Sequence, residues 1–315
     1  MASVLLDADS DVTVQLERQT QVAAYIILCS LTAVLWDWVL SSADDCKLVQ
    51  GCGHAAAMLA YFLARASAIT VCILALIFYT GVPPGEHSCS DIFRSIGAMT
   101  VVGIAAKAYL FLLRVRAVYG NSKLATLCVG MGMAIVVASR TTVVFMVRTS
   151  PLGHGGYCAV TDFPTLPVVS LWLNLAYDTC IFISISARLV SHTTSTPSPW
   201  NILLVRGNGL PRIMHLLLLD GQLYYCTTLT FLLVAAIVAG LPVGAIYQAI
   251  YAVPAISMET IMTCKVFRAM ILRSLDAEKN MPMALAEPLN ATLVYECDTA
   301  FMELRPMDHQ REHIW

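Results

Sequence analysis

Five ionisable side chains fall inside long apolar runs: Arg65, Lys107, Arg140, Asp178 and Glu259. At membrane depth such a group costs about 2.5–3.5 kcal/mol on insertion scales, so it has either a partner or a purpose. Counting ~1.5 Å of rise per residue from the nearest run end, Arg65 and Asp178 lie about 15–16 Å deep. Lys107 and Glu259 lie about 9–10 Å from one edge and Arg140 about 12 Å from the other. Matching depths predict two ion pairs, Arg65 with Asp178 and Lys107 with Glu259. The first reading of the set is that these pairs fix helix packing. The second is a polar cavity that binds a ligand or moves an ion. Lys107 is also long enough to snorkel. Asp37 and Asp220 fall near run ends, where charge is cheap, and no chemistry is read into them.

Catalytic chemistry finds no footing. The histidines (His54, His87, His154, His192, His215, His309, His313) are scattered over loops and ends rather than clustered for iron. No Cys/His set has zinc spacing, and there is no Gly-x-Ser-x-Gly elbow or phosphate loop. Tyr177-Asp178 matches one half of an intramembrane aspartyl protease, but the second aspartate motif is missing. A retinal protein needs a lysine deep in its last helix; here Lys265 stands at the end of the last run. The common G-protein-coupled receptor signatures are absent from Leu113–Tyr119 and from Val253-Pro254-Ala255. No catalytic residue, metal or cofactor is assigned.

The elements that carry the buried charges follow from composition. Of 315 residues 58% are hydrophobic and 13% charged, and the mean hydropathy is +0.71. A soluble domain carries about 25% charged residues, which excludes a water-soluble globule of this size. A net charge of −2 offers no footing for nucleic acid. Seven runs are long enough to cross the ~30 Å hydrocarbon layer: Gln21–Leu40, Ala55–Tyr79, Phe93–Val118, Leu124–Val147, Thr165–Val190, Gly221–Leu241 and Val243–Cys264. They are continuously apolar, not alternating, so they read as helices rather than barrel strands. The expected fold is all-α, a polytopic seven-transmembrane helix bundle. Only Pro242 separates the last two runs, Leu216–Leu219 either extends the sixth or lies along the interface, and Pro254 predicts a kink in the seventh.

Seven spans place the termini on opposite sides. Arg18, Arg94 and Arg148 mark one side. Lys47, Arg114, Arg116, Lys123, Arg188, Arg206, Arg212, Lys265, Arg268 and Arg273 mark the other. Positive residues gather on the cytoplasmic side, so the N-terminus is expected outside and the C-terminus in the cytosol. The acidic first 20 residues and the length of the first run argue against a cleavable leader. The sequon at Asn290 then falls inside and should carry no glycan. Cys89 and Cys158 are the only cysteines in the expected external loops. A disulfide between them would tie the fourth-to-fifth loop to the mouth of the bundle. Cys46, Cys52 and Cys264 fall near the inner leaflet, where S-acylation is the alternative to free thiols.

Several stretches in order resemble a large uncharacterised family of multi-span membrane proteins of mushroom-forming fungi, which carries an N-terminal domain of unknown function over roughly residues 25–70. The matching residues there are Trp36-Asp37, Asp44-Asp45, Lys47-Leu48-Val49 and Arg65, with Ala66 and Gln50 standing where the family has Tyr and Trp. Leu113-Arg114-Val115-Arg116-Ala117-Val118-Tyr119-Gly120 follows, then Tyr177-Asp178-Thr179, Asp220–Tyr225 and Cys264–Arg268. The resemblance spans about Tyr25 to Leu272. It implies seven helices and a membrane location, and it carries no activity or substrate.

The organisation expected is an extracellular segment over 1–20, the helix domain over 21–273 and a mostly disordered cytosolic tail over 274–315, where eight acids face three bases. The partner is the bilayer. Arg114, Arg116, Arg206 and Arg212 are candidates to meet a cytosolic signalling partner, and Lys265 and Arg268 to meet lipid head groups, although plain topology signalling accounts for those two. The oligomeric state is not read. The function favoured is a receptor-like protein sensing an external or lipid-borne ligand. A scaffold and a transporter or channel are the other readings; neither internal repeats nor broken helix pairs point to the last.

Overall fold

The computed structural model describes the backbone of residues 2–51, 55–81, 88–119, 122–152, 157–162, 165–191 and 212–280. Four long helices come first: α1 (Ala2–Gly51), α2 (Ala55–Thr80), α3 (Ser88–Tyr119) and α4 (Lys123–Met146). A β-hairpin follows, β1 (Arg148–Leu152) and β2 (Tyr157–Asp162), then α5 (Thr165–Ser191), α6 (Arg212–Gly240), the short α7 (Ala245–Ile250) and α8 (Ala252–Asn280). The chain is a helical membrane bundle. Six of its helical segments are long and apolar enough to cross a bilayer, with α7 and α8 together forming one of them, Ala245–Leu272. The apolar part of α6, Tyr224–Gly240, is shorter. At ~1.5 Å per residue it reaches about 26 Å, just under the hydrocarbon thickness.

The distribution of side chains is that of a protein solvated by lipid. Trp36, Leu59, Leu124 and Phe145 are among many large apolar residues exposed on the bundle surface, where water would penalise them. The buried faces hold small residues, among them Ala64, Ala68, Ala236 and Ala239, and the polar set that includes Arg65, Lys107 and Glu259. The apolar windows of α2 and α8 are half-buried or more, at 50% and 56%, while that of α4 is 11% buried. So α2 and α8 form the centre and α4 the rim. Without a hydrophobic force between helices in lipid, close approach depends on small residues. Gly103 on α3 meets Ser67 on α2 so tightly that an added Cβ would stand 2.5 Å from Ser67 Oγ.

Three boundaries differ from the sequence expectation. First, α1 runs eleven residues past Leu40 to Gly51, because Asp37, Asp44 and Asp45 do not break a helix whose polar face is paired. At its other end α1 begins at Ala2, so the expected N-terminal segment is helical in continuity with the first span. Second, the separation expected at Pro242 widens to Leu241–Gly244, and the kink expected from Pro254 is a break at Tyr251. Pro254 has no N–H to give the Ile250 carbonyl, and its ring opposes that carbonyl, which ends α7. Third, α8 continues to Asn280, into the expected tail. Residues 281–315, including Asn290, and 192–211, including Arg206, lie outside the described residues.

The hairpin was not expected. Its strands pair antiparallel with Pro151 opposite Cys158. Cys158 and Val160, two apart on one face, are both buried. They close the bundle end over Phe78, Tyr79, Ile246 and Ile250. Cys158 is joined by a disulfide to Cys89 at the start of α3, with the two Cα atoms 5.7 Å apart.

Candidate functional site

The buried charges form two clusters. The first surrounds Arg65 at the end of the bundle away from the hairpin. Asp37, Ser41 and Asp45 are four residues apart on α1, so they stand on successive turns of one face. The Arg65 guanidinium spans all three. Its Nη2 donates to Asp37 Oδ2 at 2.9 Å and to Ser41 Oγ at 2.6 Å, and its Nη1 donates to Asp45 Oδ2. Tyr61, one turn earlier on α2, donates to Asp45 Oδ1 at 2.7 Å. The guanidinium carbon also lies 5.3 Å from the Tyr61 ring centroid and 5.7 Å from that of Trp38. From α8, Lys265 reaches Asp37 at 3.4 Å and Arg268 reaches Asp45 at 3.7 Å. A planar fork held on both edges and stacked on rings uses every property that separates Arg from Lys.

This arrangement corrects the expected Arg65–Asp178 pair. Equal depth does not make contact. Arg65 faces α1, and the carboxylates that neutralise it are Asp37 and Asp45. Asp37 was read as an interfacial charge without chemistry; it is 7% exposed and bonded to Arg65. Two of the bases assigned to lipid or partner contact, Lys265 and Arg268, are drawn into the same cluster. Cys264, a candidate for acylation, is fully buried in it.

The second cluster lies between α3, α4, α5 and α8. Lys107 Nζ is 2.8 Å from Glu259 Oε2, an ion pair whose angle falls outside hydrogen-bond geometry. This is the partner that depth assigned to Lys107. Arg140 on α4 and Asp178 on α5 share the site, close enough for Asp178, Glu259, Lys107 and Arg140 to act on one another electrostatically. None of the ion pairs among the described residues includes Arg140 or Asp178. Arg140 Nε, Asp178 Oδ2 and Nδ2 of Asn174, one turn before Asp178, are buried without a hydrogen-bond partner. A buried polar atom left unmatched costs about 1–3 kcal/mol, more when charged. Asn174 and Asp178 stand on successive turns of α5 and Arg140 on the adjacent α4, three unmatched atoms in all.

Asp178 also lines a small crevice together with Phe111, Tyr225, Thr228 and Met262. Tyr225 is fixed there by Arg114, which donates to its hydroxyl at 3.2 Å and lies over its ring. Arg114 is thus half-buried against Tyr225, and Arg116 is likewise half-buried. Arg212 opens α6. Asn174 and Tyr225 were not foreseen. Asn174 stands four residues before Asp178 on one helix face, a spacing visible in the sequence, whereas nothing in the sequence points from Arg114 to Tyr225.

The cluster has no nucleophile beside a base. Among the described residues it presents two buried donors and a buried acceptor. Neither protein-family models nor curated proteins give a match to this chain.

Proposed function

We propose that the chain is a receptor-like, seven-helix membrane protein whose ligand engages Arg140, Asn174 and Asp178. In this reading α6 is the remaining crossing, the hairpin end faces outward, and the C-terminal end of α8 lies in the cytosol of a plasma-membrane protein. The excess of basic residues around the Arg65 end supports that orientation. The ordered resemblance to the fungal multi-span family agrees with a count of seven helices.

The observation that carries the proposal is the contrast between the two clusters. Arg65, in the first cluster, has its charge answered by hydrogen-bonded carboxylates on Asp37 and Asp45 and serves packing. Arg140, Asn174 and Asp178 leave atoms unmatched beside a crevice. Binding sites are commonly built at such a cost to stability.

Native mass spectrometry of gently solubilised wild type and Asp178→Asn, together with their melting temperatures, tests this. The wild type should carry a small adduct that the variant lacks, with the variant melting no lower. Absence of any adduct from wild type, with Asp178→Asn melting well below it, would show that the cluster only packs helices.

A further inference from the structure

We infer that the crevice beside Asp178 is a water site, in which one water molecule is held between Asp178 on α5 and Thr263 on α8. The crevice has room for about one water molecule. Asp178, Thr228 and Thr263 line it, against apolar walls that include Met262 and Val266. Asp178 is 3% exposed and Thr263 6%. A threonine hydroxyl inside a helix commonly donates to the carbonyl one turn back. Thr228 does so to Tyr224 at 3.0 Å, and Thr260 to Ile256 at 2.8 Å. Among the described residues the Thr263 hydroxyl makes no such bond, although it is buried at the crevice. Asp178 Oδ2 is enclosed and unmatched, which leaves Oδ1 as the carboxylate oxygen that a molecule in the crevice can reach.

Buried waters make about three hydrogen bonds, and the lining supplies three. The water accepts from the Thr263 hydroxyl and donates to Asp178. Its second hydrogen goes to the Thr228 oxygen, whose own hydrogen is spent on Tyr224. Charge selects water over a cation of the same size. Lys107 and Arg140 balance Asp178 and Glu259, and Arg114 stands over Tyr225 on the crevice wall. A bound cation would add an uncompensated charge at membrane depth; water leaves the sum unchanged. The position gives the water a structural part. Both α5 and α8 pack on α3 and on α6, and the water joins α5 to α8 across the space between those two. The site stands whether or not a ligand engages Arg140, Asn174 and Asp178.

Radiolytic hydroxyl labelling of the full chain in phosphatidylcholine nanodiscs tests this, because the radicals form from water in place and mark the side chain beside it. Met262 in the crevice is the reporter, and Met131, exposed on the rim helix α4, is the reference. In wild type Met262 should be labelled severalfold faster than Met131. Thr263→Val keeps the volume and removes the hydroxyl, and Val266→Phe puts a ring into the crevice. In each, the Met262 rate should fall to that of Met131. Equal rates for the two methionines in wild type overturn the inference, whatever the variants do. So does a Met262 rate that a folded variant leaves unchanged. Should one variant not fold, the other and the wild-type comparison decide. A saturable rise in melting temperature with sodium chloride, absent with choline chloride, would put a cation in the crevice and also overturn it.

Discussion

Lys107 on α3 and Glu259 on α8 meet at 2.8 Å with their side chains 2% and 4% exposed. The pair crosses the middle of the bundle and is the only direct ionic contact between these two helices among the described residues. Breaking such a pair strands a buried charge, whereas replacing both members with apolar groups of similar volume is near neutral. Lys107→Met alone should therefore destabilise the protein by about 3–5 kcal/mol, and Glu259→Met alone similarly. The double variant should recover most of the loss. Reversible unfolding in mixed micelles, arranged as a double-mutant cycle, measures this; additive losses would contradict it.

Arg65 holds two acids eight residues apart on α1. Arg65→Ala leaves Asp37 with Lys265 alone and Asp45 with Arg268 and Tyr61, and should cost about 3–5 kcal/mol, the range for loss of a buried pair. Arg65→Lys should recover only part, because an ammonium lacks the fork that spans Asp37 and Asp45. A charge exchange, Arg65→Asp with Asp178→Arg, should rescue nothing. Recovery of folding in that exchange, read by the same unfolding assay, would restore the pairing inferred from depth.

The Cys89–Cys158 bond joins the start of α3 to β2 across a separation of 69 residues. Non-reducing peptide mapping should find these two peptides linked, with Cys29, Cys46, Cys128, Cys180 and Cys226, all exposed, open to alkylation after solubilisation. Cys89→Ser with Cys158→Ser should lose about 2–4 kcal/mol, the range for a native bond.

Gly103 and Ser67 set the spacing of α2 and α3. Gly103→Ala puts a methyl into the Ser67 side chain and should lower stability by about 1–3 kcal/mol, the usual cost of overpacking. Ser67→Gly in the same chain removes the obstructing atoms and should return most of it. Equal melting of Gly103→Ala and wild type would show that the helices do not depend on this contact.

The helical spans were legible because lipid forces one pattern, a continuous apolar run. The Lys107–Glu259 pair was legible for a related reason: each was counted from a nearby helix end, where register error is small. Arg65 was misassigned because the end of α1 was set by hydropathy at Leu40, and Asp44-Asp45 then looked like loop. Yet Asp37, Ser41 and Asp45 already stood at helical spacing, and a helix carried on to Gly51 puts them on one face toward Arg65. The hairpin escaped notice because a five-residue strand containing Pro151 has weak strand character. Its stability comes from the covalent bond to α3 and from Val160 packing on the bundle, neither of which is local information. The unmatched atoms of Arg140, Asn174 and Asp178 depend on relative helix rotation, which no single run encodes.

The Arg65 cluster has a consequence for biogenesis. Asp37, Asp45 and Arg65 are each poorly soluble in hydrocarbon, yet pairing leaves the three groups with a net charge of −1 in place of three separate charges. Entering the lipid as one hairpin spares each segment the cost of carrying its charge alone. A single arginine thus favours joint insertion of the first two spans.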